Sequence, residues 1–565
     1  MKQDYKTSVF PNVALTWAGG IELFKLKRAC RKPRKSAEST LRKILTYAKD
    51  TVYGKEHNFE KILQAKSDFE LFRLYQENVP ANNYEDLRPY VERHKQGEEN
   101  LLFPGKPVMY ATTSGTTKEP KWIPITDIYL KSVYDKMTKL WLHNYSKLRI
   151  QAFSGSILAI VGNVQENKLD DGTIYGSVSG LTRRDCPDFI KKRYVCPTEV
   201  YEIKDYTARY YTIMRMGIEH NVTLLVTANP STILEMQSNA DRFYDQYIED
   251  IEKGTLWSEM DISPEIRAAI APYLKPNPKR AHELKKLKKK YGTPLPKHYW
   301  SDLQLLNTWK NGNTKVYVDK FKDWFPKHTL HQELGYFSSE CRFGLVLDKS
   351  ADTVLFPHMH YYEFVDAEDL DNPTPRFYQL NELQSGKRYC PFVTTFAGLY
   401  RYNMNDLIEV GQPFENTPTV QLIQKVNGII SMTGEKLHEW HFIKAVHAAE
   451  KDLNMPVLFF VGFADVENSC YHFYYEFADS GVTQADAEAF TQKVDEVLKR
   501  INMEYDAKRA SFRVKDPITH RLQPDSFEHF KQESLEQGAR DGQFKVNLLM
   551  QDEKRHAIFK KLILD

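Results

Sequence analysis

Two short apolar runs, Ser156–Gly162 (SILAIVG) and Asn221–Ala228 (NVTLLVTA), constrain this chain more than any other feature. Each has the length and branched-residue content of a buried strand, and amphipathic helical stretches alternate with them from residue 101 onward. Strand and helix in alternation predict an α/β lobe. Runs this short cannot span a bilayer as helices, so no integral membrane span is expected. At 565 residues the chain exceeds one compact core, and a second lobe is expected.

The second lobe is visible near the C-terminus. The spacing predicts a helix over 435–453, strands over 457–463 and 471–477, an amphipathic helix over 485–502 and another helix over 526–537. Before it, 407–410 and 420–423 read as strands. The expected architecture is therefore α/β. A large N-terminal lobe of β-sheets and helices, residues 1–424, is followed by a small α+β C-terminal lobe, residues 429–565, with a short hinge near 424–428. The first hundred residues read as helical and irregular, punctuated at Pro80, Asn82, Asn83 and Pro89. Residues 255–299, rich in Pro and Lys, read as inserted helices and turns.

Charge is balanced, with 78 basic against 75 acidic residues, so the chain lacks the overall field of a nucleic-acid-binding protein. Two local basic runs, Lys25–Lys35 and Lys279–Lys290, suit either solvated helix faces or contact with phosphate, an acidic partner or a membrane surface. The six cysteines form no CxxC pair, which argues against a zinc ribbon or a disulfide framework. With an N-terminal stretch that lacks a signal-peptide core, they predict a cytoplasmic protein.

Five segments carry candidate chemistry. Thr112–Thr126 (TTSGTTKEPKWIPIT) concentrates hydroxyls, Gly115, Lys118 and Lys121, and ends in a helix N-cap at Thr126. Hydroxyls and loop N–H groups suit phosphate, although a polar surface turn has the same composition and the P-loop spacing is absent. In Glu333–Glu340 (ELGYFSSE) a carboxylate beside hydroxyls can hold Mg²⁺, or simply end a strand. In Gly398–Asp406 (GLYRYNMND) Arg401 can meet phosphate and Asp406 a ribose, or both can be surface residues. The remaining segments are Lys425–Glu439 (KVNGIISMTGEKLHE), at the hinge, and Gly542–Val546 (GQFKV), with Lys545.

Together and in this order, these segments resemble the acyl-adenylate-forming superfamily, and more narrowly the auxin-responsive acyl-amido synthetases, the Gretchen Hagen three family. TTSGTTKEPK resembles the family's ATP-phosphate loop and YFSSE its YxSSE motif. GLYRYNMND resembles GLYRYxxGD, GEKLHE the element after the hinge, and GQFKV the segment with the late catalytic lysine. The resemblance spans about residues 20–550.

It implies an adenylate-forming enzyme that uses ATP and Mg²⁺ to activate a small carboxylic acid as acyl-AMP. The acyl group then passes to an amine, usually an amino acid. Thr113, Ser114, Gly115, Thr116 and Thr117 would hold the phosphates. Tyr336 would lie near adenine, Ser339 would seat the α-phosphate or adenosine, and Glu340 would bind Mg²⁺. Asp406 would hold the ribose. Lys545 would bridge carboxylate and α-phosphate, and Lys425, in place of the family's hinge arginine, joins the nucleotide-binding set. Phe337 stands where the family has a small residue, Asn405 where it has glycine, and Asn547-Leu548 where it has Pro-Arg. Coenzyme A as the acceptor, or a catalytically idle adenylate-binding scaffold, are the rival readings.

Overall fold

The computed structural model describes residues 9–113, 121–184, 186–311, 314–348, 350, 352–370, 372–426, 429–430, 432, 435, 437–510, 513–536 and 546–564. It divides into two units. Residues up to Met404 together with Glu409–Gln421 make the first; Asn405–Ile408 and the chain from Leu422 onward make the second. The division crosses a hairpin of two nine-residue strands, Asp406–Phe414 and Thr417–Lys425. The α/β large lobe and the α+β small lobe expected from the sequence are both present.

The first unit opens on helices fixed by side-chain caps. Thr51 accepts the Gly54 N–H, Ser67 caps Asp68–Asn78, and Asn83 with Asp86 forms a capping box at Tyr84–Lys95. Pro80, Asn82 and Asn83 do punctuate the chain, but Pro89 does not. It sits inside Tyr84–Lys95, on the exposed face of that helix. The basic runs lie on helices, and part of each is ion-paired: Lys25 with Glu22, Arg31 with Glu415, Arg34 with Asp68, Lys285 with Glu252 and Lys288 with Asp245. They read as solvated helix faces.

A wholly parallel sheet runs in the order Ser156–Ile160, Val222–Thr227, Leu305–Thr308 and Leu330–Glu333. Successive side chains point to opposite faces, and both faces are covered. Leu158, Leu225 and Leu306 pack in one cluster with residues of helices Tyr206–Glu219 and Ser231–Lys253. Ile157, Leu224 and Leu305 pack in another with Leu142, Tyr145 and Phe153. This double burial is why the apolar runs are continuous rather than alternating. A mixed sheet contains the antiparallel pair Met109–Thr113 and Lys121–Ile125. A mainly antiparallel sheet runs Tyr378–Gln379, Tyr361–Asp366, Arg388–Thr394, Asp406–Phe414, Thr417–Lys425, Thr353–Leu355 and Gly344–Leu345. Residues 255–299 add helices Pro264–Ile270, Pro278–Tyr291 and Pro296–Tyr299, as expected.

In the second unit, strands Val457–Asp465 and Cys470–Phe477 form a hairpin, flanked in parallel by Leu549–Met550 and Ile518–Arg521. Helices Glu439–Leu453 and Gln484–Ile501 accompany it, and Phe490, Val494, Val497 and Leu498 make the buried stripe predicted from spacing. The stretch before Glu439, read from the sequence as part of that helix, instead contributes a two-residue strand, Leu437–His438. Among the described residues no helix is long and apolar enough to cross a membrane.

Candidate active site

The strand Met109–Thr113 ends where the hydroxyl-rich segment begins, with Thr113 paired opposite Lys121. Ser114, Gly115, Thr116 and Thr117 lie outside the described residues. Thr126 caps the following helix by accepting the Tyr129 N–H, as expected; that helix passes through one wider turn and continues to Leu148. Lys121 is the chemical centre of the described part. Its Nζ lies 3.9 Å from Glu340 Oε1 and donates to the Tyr402 hydroxyl at 3.1 Å. It also sits over the Tyr84 and Tyr402 rings, at 5.9 and 5.8 Å. One cation thus joins the hydroxyl-rich segment, the ELGYFSSE segment and the GLYRYNMND segment, which are far apart in sequence.

Glu340 reaches Lys121 from a tight turn. Ser338 N–H donates to the Cys341 carbonyl, and Ser338 Oγ accepts the N–H groups of Glu340 and Cys341. Ser339 and Glu340 occupy the two positions between these residues. The Glu340 carboxylate is 12% exposed, shielded enough for its charge to act strongly yet open to a ligand. Tyr336, upstream, is buried and stacks on Phe343 at 4.1 Å, so one ring face is occupied. Phe337 fills a pocket between Trp141 and Trp309, beneath the Arg342 guanidinium. Its bulk is absorbed by aromatic packing rather than by the turn.

The chain leading into the turn is held by Glu333, which the sequence offers only as a strand end. Glu333, at the end of the parallel sheet's edge strand, accepts the N–H of Lys310 at 2.6 Å and the N–H of Gly335 at 3.1 Å. Burial pushes its carboxyl up to about 7. Gly335 has φ 105°, a left-handed conformation, and a Cβ there would meet the Gly344 carbonyl oxygen at 2.8 Å. Tyr402 was passed over as well. A tyrosine in an aromatic-rich segment carries no sequence signal that separates a lysine partner from core packing.

In GLYRYNMND the structure gives each polar residue a distinct place. Arg401, expected to meet phosphate, turns inward. Its Nε donates to Glu363 at 2.9 Å, its Nη1 donates to the carbonyls of Val79 and Gln76, and its guanidinium covers Phe377 at 4.2 Å. A guanidinium 4% exposed and so engaged is a structural tie. Asn405 has φ 55°. Asn adopts this left-handed conformation more readily than other non-glycine residues, which explains how it replaces the family's glycine. Asp406 is 2% exposed and pairs with Lys425 Nζ at 2.6 Å, across the two strands of one hairpin. The Asn405 carbonyl also accepts the Val426 N–H. Lys545 lies outside the described residues. Three positions on, the Leu548 carbonyl accepts the Gly462 N–H of the second unit's sheet.

The GH3 family N-terminal domain matches residues 22–330, its central domain 353–425 and its C-terminal domain 441–554. The chain belongs to the GH3 family. Among curated GH3 relatives, a jasmonoyl–L-amino acid synthetase of Nicotiana attenuata is 25% identical over 453 residues, 77% of this chain and 76% of that one. An indole-3-acetic acid-amido synthetase of Arabidopsis thaliana is 24% identical over 543 residues, 90% and 87% of the two chains. A solved GH3.15 acyl acid amido synthetase has the same fold, with a TM-score of 0.83 at 20% identity over 96% of each chain. A 2-hydroxyisobutyryl-CoA ligase in the postadenylation state is a more distant match in fold, at TM-score 0.54 and 11% identity over 93% and 91% of the two chains. GH3 membership and this fold class the chain as an acyl-adenylate-forming ligase of the acid–amido synthetase kind.

The Glu340 turn fits Mg²⁺. The ion takes hard oxygen donors and ordinarily uses only one or two carboxylates, leaving the rest of its shell to water and substrate phosphates. Glu340 supplies one shielded carboxylate, with the Lys121 ammonium 3.9 Å away and close enough to share an anion.

Proposed function

We propose that this GH3 protein activates a small carboxylic acid with ATP and transfers the acyl group to an amine, most simply the amino group of an amino acid. The observation that carries the proposal is the convergence of Lys121, Glu340 and Tyr402 at the end of the strand that feeds the hydroxyl-rich segment. Relatives named for jasmonoyl–amino acid and indole-3-acetic acid–amide synthesis support the amine acceptor. The residues at 1–424 would make the adenylate, and those at 429–565 would contribute Lys545. A cytoplasmic location, where thiols stay reduced, suits six buried cysteines with no disulfide among them.

In the first step a carboxylate oxygen of the acid bonds to the α-phosphorus of ATP. The bond to the β-phosphate bridging oxygen breaks, and pyrophosphate leaves. In the second, the amine nitrogen bonds to the acyl carbon, AMP departs with the bridging oxygen, and the amine loses a proton. Little covalent work falls to the protein, which must hold reactants in line and stabilise developing charge. Lys121 and the hydroxyls of residues 113–117 would hold the phosphates, and Ser339 would orient the α-phosphate. Tyr336 would pack by the base, Asp406 would accept ribose hydroxyls, and Lys425 would steady Asp406. Lys545 would stand between the acid's carboxylate and the α-phosphate. Mg²⁺ held by Glu340 would neutralise phosphate charge when bound.

The test is ATP–pyrophosphate exchange with aryl, indolyl, jasmonate-like and fatty acids, followed by acceptor-dependent AMP release. Exchange with one acid class, and AMP release stimulated by amino acids, is expected. Release stimulated by coenzyme A instead would overturn the amide assignment. ATP binding without exchange across the panel would overturn catalysis itself.

A further inference from the structure

A second site lies at the turn end of the hairpin formed by Val457–Asp465 and Cys470–Phe477. Asp465 and Cys470 are the closing pair of the ladder, directly opposite each other. Residues directly opposite share a face, and so do residues two apart on one strand. Asp465, Cys470 and His472 are therefore brought to one face by the register alone. Their ligand atoms all lie within 4.8 Å of one another.

The separations are informative. His472 Nε2 is 3.4 Å from Asp465 Oδ2 and 3.9 Å from Cys470 Sγ. A tetrahedral zinc ion, with bonds of about 2.1 Å to nitrogen and oxygen and about 2.3 Å to sulfur, holds its ligands about 3.4 Å (N to O) and about 3.6 Å (N to S) apart. Both separations from His472 are therefore close to coordination distances, and the sulfur and the carboxylate lie within 4.8 Å of each other.

The far side of the ring supplies an independent observation. His472 Nδ1 is 2.9 Å from His520 Nε2, on the neighbouring strand Ile518–Arg521. A ligating histidine characteristically uses its second nitrogen in such a hydrogen bond, which fixes tautomer and ring orientation. If His472 gives its Nδ1 proton to His520, its Nε2 lone pair faces a carboxylate oxygen and a sulfur, an arrangement that a cation stabilises. The Asp465 carboxylate is oriented too, by Asn468, whose N–H and side-chain amide donate to Oδ1 and Oδ2 at 2.9 and 2.8 Å.

We propose that Asp465, Cys470 and His472 bind one borderline-soft divalent cation of the zinc class, with His520 positioning His472 and water completing the shell. Binding converts the Cys470 thiol to a metal thiolate, and its proton passes to solvent. The cation pins the two strands where they enter the turn and, through His520, ties that end of the hairpin to the adjacent strand. Nothing in this proposal depends on the ATP chemistry.

Full-length protein, stripped with a chelator under reducing conditions, is titrated with Co²⁺ and then Zn²⁺. One equivalent of Co²⁺ giving a thiolate-to-cobalt charge-transfer band, displaced by Zn²⁺, is expected. Cys470→Ser removes the band, and Asp465→Asn, which preserves shape, weakens binding. His520→Ala keeps the band and loses about 10–100-fold in affinity, the usual cost of removing such a partner. A wild-type protein that gives no band at millimolar Co²⁺ would overturn the site. So would a band that survives Cys470→Ser, or Co²⁺ affinity indifferent to His520→Ala.

Discussion

Glu333→Gln tests whether burial governs the loop that carries the Glu340 turn. Burial holds the Glu333 carboxyl at about 7, against 4.5 for a free glutamate. Between these values the folded protein keeps the proton and the unfolded chain has released it. The unfolded state then binds one proton fewer, so stability falls by about 1.36 kcal/mol per pH unit. Over this window of roughly 2.5 units the loss comes to about 3 kcal/mol, complete by about pH 8 and absent below pH 4.5. The sign follows from a raised acid: its stabilisation is full below the unfolded value and is lost as pH rises through the folded one. Glutamine does not titrate. It does place an amide N–H against one of the two backbone donors, Lys310 or Gly335, a pH-independent cost of about 1–3 kcal/mol. Urea unfolding at pH 4.5, 6, 7 and 8 separates the two effects. Tryptophan fluorescence is a suitable signal, because Trp309 donates to the Gly335 carbonyl within the same loop. Wild-type stability minus that of Glu333→Gln should decline by about 3 kcal/mol across the series. Parallel curves would refute a buried, proton-holding Glu333.

Glu340→Gln should cut pyrophosphate exchange by about 10²–10³-fold with the fold intact by circular dichroism; undiminished exchange removes it from the site. Lys545→Ala should lower exchange on the same scale, and an unchanged rate dismisses the late lysine. Arg401→Ala should destabilise by about 3–5 kcal/mol in urea unfolding, because it strands buried Glu363 without its partner. A loss of nucleotide affinity with unchanged stability would return Arg401 to the phosphate-binding set. Asn405→Gly should leave stability within about 1 kcal/mol of wild type, since glycine adopts the same left-handed backbone at little steric cost. A severe loss would mean that the Asn405 side chain itself is required.

Much of the fold was legible because its signals are local. The branched apolar runs near 157 and 224 mark strands buried on both faces. The stripe of Phe490, Val494, Val497 and Leu498 marks a helix by its period alone. Pro89 was misread because proline by itself signals a stop, whereas the capping box of Asn83 and Asp86 starts a helix that runs on through it. Within the candidate site, residue type and the family resemblance nominate Glu340 and Asp406, but not what faces them. The pairing of Lys121 with Glu340 spans more than two hundred positions, and no spacing rule reaches that far. Glu333 looked like an ordinary strand end, and only burial made it a titrating group near pH 7.

The same logic decides between two roles for Asp406. A carboxylate 2% exposed must have its charge met, and Lys425 meets it at 2.6 Å from across the hairpin. If Asp406 were purely structural, Lys425→Ala would act only by leaving that buried charge uncompensated, and ATP would bind the surviving folded fraction as before. If Asp406 accepts ribose hydroxyls, Lys425 fixes the direction of the accepting oxygens, and its loss should raise the apparent KM for ATP. Asp406→Asn should do the same, because the amide replaces one accepting oxygen with a donor. The two measurements, stability and KM, move together only when the carboxylate both supports the hairpin and touches nucleotide. A rise in KM for both variants, with exchange restored at high ATP, is the expected outcome. A loss of stability with an unaltered KM would make the pair a hairpin clamp and place the ribose elsewhere.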